Sequence, residues 1–246
     1  MSSATFEALL AGEAPEEFLA STRPFTEMMM RYRCAMMEVR TKFEVLNTEL
    51  SLDCEKNPIE SISCRIKKPM SILEKLRRKG LEISLESIEK NIHDVAGIRI
   101  ICSFPRDIYV LAEKICSQDD IRLLEAKDYI RNPKPNGYRS LHLILEVPVF
   151  LSTGKRWMPV EVQLRTLAMD LWASIEHKLR YKKDCDQDTE AIAEELRQCA
   201  EGIHAMDKRL EAISQRIDRQ NTQSSPASDG LFFAEGTTWE RIQTNP

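Results

Sequence analysis

Two apolar–polar alternations stand back to back past the middle of the chain, and they constrain the fold more than any other feature. In "LHLILEVPV", Leu141, Leu143, Leu145 and Val147 alternate with His142, Ile144 and Glu146. In "MPVEVQLRT", Val160, Val162 and Leu164 point one way, and Glu161, Gln163 and Arg165 the other. Successive side chains of a strand face opposite sides of a sheet, so this period of two means strands with one apolar face. "GKRW" between them reads as the turn of a hairpin.

The flanking sequence supplies the rest of a mixed sheet and its helices. "SCRIK" (Ser63–Lys67), "VAGIRIICSF" and "IRLLEAKDYI" read as further strands, giving about five in all. Over 25–50, Met29, Tyr32, Met36, Val39, Phe43, Leu46 and Leu50 fall on one helical stripe, with a break near Asn57-Pro58. A second helix opens at Pro69 and stops at Gly80, placing Ile72, Leu73 and Leu76 toward the core and Lys75, Arg78 and Lys79 on another face. A third covers Asp107–Ser117, and a fourth starts near Thr166. "RNPKPNGYRS" is rich in Pro, Asn and Gly and reads as a loop. The expected fold class is therefore α/β (α+β): a mixed sheet flanked by helices over 51–185, preceded by an N-terminal segment (1–24) and the 25–50 helix. From 189 to 220, Ile192, Leu196, Cys199, Ile203, Met206, Leu210, Ile213 and Ile217 form a heptad seam. It is either a helix packed on its own domain or an oligomer contact over 186–220. The tail, 221–246, is expected to be flexible.

Composition narrows the function classes. A net charge of −4 argues against a general nucleic-acid binder. Yet Arg65, Lys67, Lys68, Lys75, Arg77, Arg78 and Lys79 crowd into one stretch against a single acid, Glu74, which suits a small polyanionic ligand. The seven cysteines are odd in number, scattered and without a CxxC pair, so no disulfide framework or zinc site is expected, and a reducing cytoplasm is. No apolar run approaches membrane-spanning length, and the acidic first residues do not form a signal peptide.

Three polar sets carry candidate chemistry: the basic stretch from Arg65, Asp94 with Arg99, and Glu161 with Gln163. Asp94 precedes a buried strand and Glu161 lies within one, so they can share a divalent cation if the strands are neighbours. Magnesium takes one or two protein carboxylates and completes its shell with water and phosphate oxygens. Taken singly, such residues are more often caps, ion pairs or solvated strand positions; the combination of basic groups and paired acids is what a phosphate site requires.

Four segments in order, "SCRIKKPMSILEKLRRK", "HDVAGIRIICSF", "DYIRNPKPNGYRSLHLIL" and "VEVQLRTLAMDLWASIEHKLRYK", resemble the synthetase domain of RelA/SpoT-type (p)ppGpp synthetases, over roughly Ser63 to Lys182. The chain looks like a small alarmone synthetase of the stand-alone tetrameric type. The resemblance implies a nucleotidyltransferase-like fold and a magnesium-dependent transfer of pyrophosphate from ATP to the ribose 3′-hydroxyl of GDP or GTP, releasing AMP. It implies that Arg65 and Arg99 sandwich adenine, while Lys75 and Arg78, with Lys67 nearby, meet the ATP phosphates. Asp94 matches the magnesium-binding aspartate. Glu161 matches the acid that assists the metal or accepts the hydroxyl proton, and both roles stay open. Tyr138 matches the tyrosine stacking on guanine. Lys134, assisted by Arg131, would reach the acceptor phosphates, and Gln163 and His177 would line that site, with His142 a weaker candidate.

Two departures qualify the resemblance. No hydrolase domain with its own His and Asp motifs precedes the synthetase segments, so alarmone degradation is not expected, and a hydrolase built on His93-Asp94 lacks the further ligands it needs. In the tetrameric members, an aromatic residue and a threonine before the first adenine arginine help bind an allosteric alarmone. Here those places hold Ser61 and Ser63, and product activation through that cleft is not expected. A reading of another class is a regulatory module binding single-stranded RNA through the basic stretch and Tyr138.

Overall fold

The computed structural model describes residues 16–54, 57–181 and 189–224. The start of the N-terminal segment and the end of the expected tail lie outside the described residues. Along the chain run α1 (Glu16–Cys54), β1 (Ile59–Ile66), α2 (Pro69–Arg78), α3 (Leu85–Asn91), β2 (Ala96–Cys102), α4 (Pro105–Cys116), β3 (Arg122–Asp128), β4 (Leu141–Leu151), β5 (Gly154–Thr166), α5 (Leu167–Tyr181) and α6 (Thr189–Ser224). The five strands form one mixed sheet in the order β1-β2-β5-β4-β3, with β2 and β5 parallel and the other pairs antiparallel. This is the mixed, helix-flanked sheet that the alternation requires.

The alternation also decides which face is dry. Ile98, Ile100, Leu141, Leu143, Leu145, Val160, Val162 and Leu164 are buried on one side. Over them pass α1, which buries Phe25, Met28, Tyr32, Ala35, Val39, Phe43 and Leu46, and α4, which buries Ile108, Leu111, Ala112 and Ile115. Full burial of a side chain of this size is worth roughly 1.5–3 kcal/mol, so these two helices supply much of the core. The stripe of α1 is centred slightly off the expected one: Met29, Met36 and Leu50 are only half-buried, and Met28 and Ala35 take the central places. No helix among the described residues is long and apolar enough to cross a membrane.

Two boundaries differ from expectation. The hairpin turns at Ser152-Thr153, because Leu151 pairs with Gly154 and "GKRW" already belongs to β5. Gly154, at φ +118°, provides the backbone conformation needed on leaving that turn. β1 is longer than Ser63–Lys67, since Ile59 to Ile66 pairs with β2 apart from one irregularity between Ile59 and Ser61.

The helix α6 turns only part of its seam toward its own domain. Its buried positions are Ala200, Asp207 and Ser214, seven residues apart, whereas Ile192, Met206, Leu210, Ile213 and Ile217 are exposed. Polar pairs hold the inner face. Thr166 Oγ donates to Asp207 Oδ2 at 2.6 Å, the Arg106 N–H donates to Glu211 Oε1 at 2.7 Å, and the Arg106 guanidinium reaches Asp218 Oδ2 at 3.1 Å. Within the seam, Leu196 and Ile203 are half-buried, and Ile203 lines a small gap with Met169 and Trp172 of α5, so the seam meets its own domain there while its other apolar side chains stay exposed.

Candidate active site

The polar face of the sheet carries two rows of side chains that cross all five strands. The pairing register aligns Arg65, Gly97, Glu161, Ile144 and Glu125 in one row, and Ser63, Arg99, Gln163, His142 and Lys127 in the next. Arg65 and Arg99 are thus diagonal neighbours on β1 and β2. Glu161 stands in the middle of the sheet, and Gly97 beside it adds no side chain between Arg65 and Glu161. A cleft of about 210 Å³ opens over β5, β4 and β3, lined by Glu161, His142, Ile144, Glu125, Lys127, Tyr129 and Lys134.

Asp94 lies in the turn between α3 and β2, three residues before the strand position that pairs with Glu161. Its Oδ2 receives Lys67 Nζ at 2.6 Å and Lys75 Nζ at 2.7 Å. Lys67 comes from the end of β1 and Lys75 from α2, whose start is set by Pro69 and whose apolar side, Ile72, Leu73 and Leu76, is buried. Burial alone would raise the Asp94 carboxyl, but hydrogen bonds and charge from the two lysines outweigh it and hold it below the usual range. Its Oδ1 is buried and has no partner. Arg78 is exposed on the same helix, and Lys79 donates to the Asn91 carbonyl at 3.1 Å instead of joining this cluster.

Glu161 is held by a chain of hydrogen bonds. Gln163 Nε2 donates to its Oε2 at 3.0 Å, and His142 Nδ1 lies 3.4 Å from its Oε1. Tyr138 Oη is 2.8 Å from His142 Nε2, and Arg165 Nη2 donates to Tyr138 Oη at 2.5 Å. The Glu161 carboxylate can only accept, so a ring proton on Nδ1 is what faces it, while Tyr138 Oη accepts from Arg165 and meets Nε2 on the other side of the ring. Burial pushes the Glu161 carboxyl up. His142 and Gln163 pull it back against Asp94's charge, and the net position is below the usual glutamate range.

The loop between β3 and β4 brings Lys134 and Tyr138 to this chain. Asp128 Oδ1 accepts the Ile130 and Arg131 N–H groups, each at 3.0 Å, and fixes the start of the loop. Lys134 Nζ lies 4.6 Å from the Tyr129 ring centre and 4.9 Å from that of Tyr138. Arg131 instead pairs with Asp128 at 3.7 Å and lies over Tyr109. His177 is exposed on α5. His93 is 3.2 Å from the Lys90 carbonyl through Nε2 and takes no part in the cluster around Asp94. Ser61 and Ser63 are exposed on β1.

Sequence reasoning passed over Arg165. It is 5 % exposed, donates to Tyr138, to Gln163 Oε1 at 3.1 Å and to Asp170 Oδ1 at 3.0 Å, and shares Asp170 with Arg99 at 3.3 Å. Its signal was present: the alternation places it in phase with Glu161 and Gln163. Tyr129, edge-on to His142 at 5.3 Å between ring centres, was also missed.

The model described as "Region found in RelA / SpoT proteins" matches residues 64–186, which takes in Arg65, Asp94, Arg99, the loop, Glu161 and Gln163. The chain belongs to the RelA/SpoT family. The GTP pyrophosphokinase YwaC of Bacillus subtilis (strain 168) is 43% identical over 190 residues, covering 77% of this chain and 90% of that relative. Among solved structures of RelA/SpoT relatives, the small alarmone synthetase 2 from Bacillus subtilis superposes with a TM-score of 0.70 at 41% identity, covering 78% of this chain and 98% of that one. The small alarmone synthetase 1 from the same organism, bound to its product pppGpp, gives 0.71 at 34% identity, with 79% and 98% covered.

Proposed function

We propose that this chain is a (p)ppGpp synthetase, a GTP pyrophosphokinase that moves the pyrophosphate of ATP onto the ribose 3′-hydroxyl of GDP or GTP, releasing AMP, in stringent-response signalling. The observation that carries this is one sheet face with Lys67 and Lys75 converging on Asp94 on one side of Glu161, and Lys134 and Tyr138 on the other. The product-bound relative of the same fold supports it.

The two sides divide the substrates. Arg65 and Arg99, diagonal on adjacent strands, suit stacking on adenine, since guanidinium planes pack well on flat rings. Lys67, Lys75 and Arg78 meet the ATP phosphates. Lys134 meets the acceptor phosphates, Tyr138 stacks on guanine, and Gln163 and His177 border the acceptor. The 3′-oxygen attacks the β-phosphorus: a new O–P bond forms, the bond to the α,β-bridging oxygen breaks, and AMP leaves with that electron pair. Glu161, oriented by His142 and Gln163, takes the hydroxyl proton.

The residues fit magnesium. Asp94 Oδ1 is a buried carboxylate oxygen with no partner, and Asp94 is near enough to Glu161 for its charge to raise that carboxyl. Among the described residues no cluster of three or more His, Cys, Asp or Glu forms a closed metal cage. That suits a cation held by one or two carboxylates with water and phosphate oxygens filling its shell. Bound there, the ion would neutralise phosphate charge and polarise the transferred group. Incubation with ATP plus GMP, GDP or GTP is expected to release AMP and a 3′-pyrophosphorylated nucleotide with magnesium and to stop with EDTA. No AMP release with any of the three acceptors would reject the assignment.

The exposed seam of α6, and Leu167, Leu171, Ile175 and Leu179 exposed along neighbouring α5, support a homo-oligomer, a tetramer by resemblance. Light scattering at micromolar protein should give about four times the 28.3 kDa of one chain, and Leu210→Glu with Ile213→Glu should lower that mass. A mass of one chain for the unaltered protein would exclude assembly through this face. The free thiols of Cys34, Cys64, Cys102, Cys116 and Cys199 support a cytoplasmic location.

A further inference from the structure

The loop that carries Lys134 and Tyr138 is laid against the C-terminal helix. Gly137, at its tip, has φ +87°, and a β-carbon built there would lie 2.5 Å from Ala200 Cβ and 3.5 Å from Arg197 Cα. The Gly137 N–H donates to the Lys134 carbonyl at 2.8 Å, closing the tight turn that ends beside Tyr138. Glycine is required here twice over, by the left-handed backbone and by the helix behind it. Ala200 is 4 % exposed and belongs to the stripe, with Asp207 and Ser214, that α6 turns toward its own domain. A second tether comes from α5, where Glu176 Oε1 accepts Asn136 Nδ2 at 3.1 Å. The Trp172 indole N–H, also on α5, donates to the Leu196 carbonyl at 2.9 Å and so joins the two helices behind the loop.

We propose that Ala200 is a positioning residue: by seating Gly137 directly on α6, it sets where Lys134 and Tyr138 stand and hence the affinity for the acceptor nucleotide. The residue touches no substrate; it acts through the loop backbone. The proposal rests on the acceptor assignment of Tyr138. A larger side chain at 200 meets the Gly137 backbone, which already lies close against Ala200 and Arg197, and pushes it away from α6; the gap beside them, lined by Arg139, Met169, Trp172 and Ile203, takes up only part of the added volume. Lys67, Lys75 and Asp94 belong to other elements, and the link to the ATP side is indirect, through Arg165 and Asp170 to Arg99, so the ATP side feels the change far less than the loop.

Michaelis constants for GDP and for ATP, measured on Ala200→Ser, Ala200→Val, Ala200→Leu and Tyr138→Ala, test this. The GDP constant should climb in the order Ser, Val, Leu, by roughly tenfold at Val, while the ATP constant stays within about twofold. Gly137→Ala should raise the GDP constant as well, and adding Ala200→Gly should recover part of that loss, the remainder being the positive φ. If Tyr138→Ala raises the GDP constant and Ala200→Val does not, the positioning role is overturned while the acceptor site stands. Equal rises for GDP and ATP also overturn it. An unchanged GDP constant in Tyr138→Ala removes the acceptor assignment and the proposal with it. Ala200→Ser adds a single oxygen and keeps the comparison available should the bulkier variants not fold.

Discussion

Asp94→Asn is expected to lose on the order of a thousandfold in turnover while keeping its fold and its grip on ATP. In the free protein this carboxylate neutralises both Lys67 and Lys75 through one oxygen, Oδ2. On the proposed assignment, ATP phosphates would compete for the same two lysines. Once they took them over, the carboxylate would lose its counter-charges and be left to hold a divalent cation, with Oδ1 already unpartnered. Asparagine keeps the shape but not the charge, so it frees the lysines and forfeits the cation. ATP affinity measured by calorimetry in EDTA should therefore be equal or tighter in the variant, whereas AMP release in magnesium collapses. Unaltered circular dichroism separates this from unfolding. Full turnover would remove Asp94 from the site. A loss of ATP affinity in EDTA as large as the loss of turnover would make it a holder of the lysines only.

The parts of this site that sequence made legible are those written in local periodicity. Alternation in β4 and β5 put Glu161, Gln163 and His142 on one face, and the β2–β5 pairing then brought Asp94 to the same place. Pro69 and Gly80 bracketed the helix of Lys75, with the backbone of Gly80 at φ +65° where expected. What alternation could not show is partnership across distance. Arg165 makes sense only with Tyr138, 27 residues away, and its burial as a charged group follows from four acceptors that the fold assembles, Tyr138, Gln163, Asp170 and Ser140. The same limit explains α6. Hydrophobic periodicity draws attention to the apolar seam, but the face that docks is the polar and small stripe of Ala200, Asp207 and Ser214, whose partners Arg106 and Thr166 sit on other elements. The chemical roles of Tyr138, Lys134 and Glu161 came from the family resemblance, and the geometry adds what holds each one.

Glu161→Gln is the second large loss expected, on the order of a thousandfold in turnover with the ATP constant little changed, as removal of a positioned proton acceptor gives. Glutamine preserves an oxygen for His142 or Gln163 to meet, so orientation survives and only the charge goes. The two carboxylates differ in one respect that supports the proposed division of work between them. Both oxygens of Glu161 already have a donor within reach, while Asp94 keeps one oxygen bare. Raising magnesium by tenfold should thus fail to rescue Glu161→Gln; substantial rescue would make Glu161 a metal ligand in place of the base. The pH profile of the unaltered protein gives an independent check. Because His142 and Gln163 hold the Glu161 carboxyl below the ordinary glutamate value of about 4.3, it is ionised throughout the neutral range, and activity that depends on it is lost only as pH falls through that depressed value. Turnover should therefore show no limb from this group between about pH 6 and 8. A base limb in that interval, absent from Glu161→Gln, would mean that nucleotide binding raises the carboxyl far above its position in the free protein.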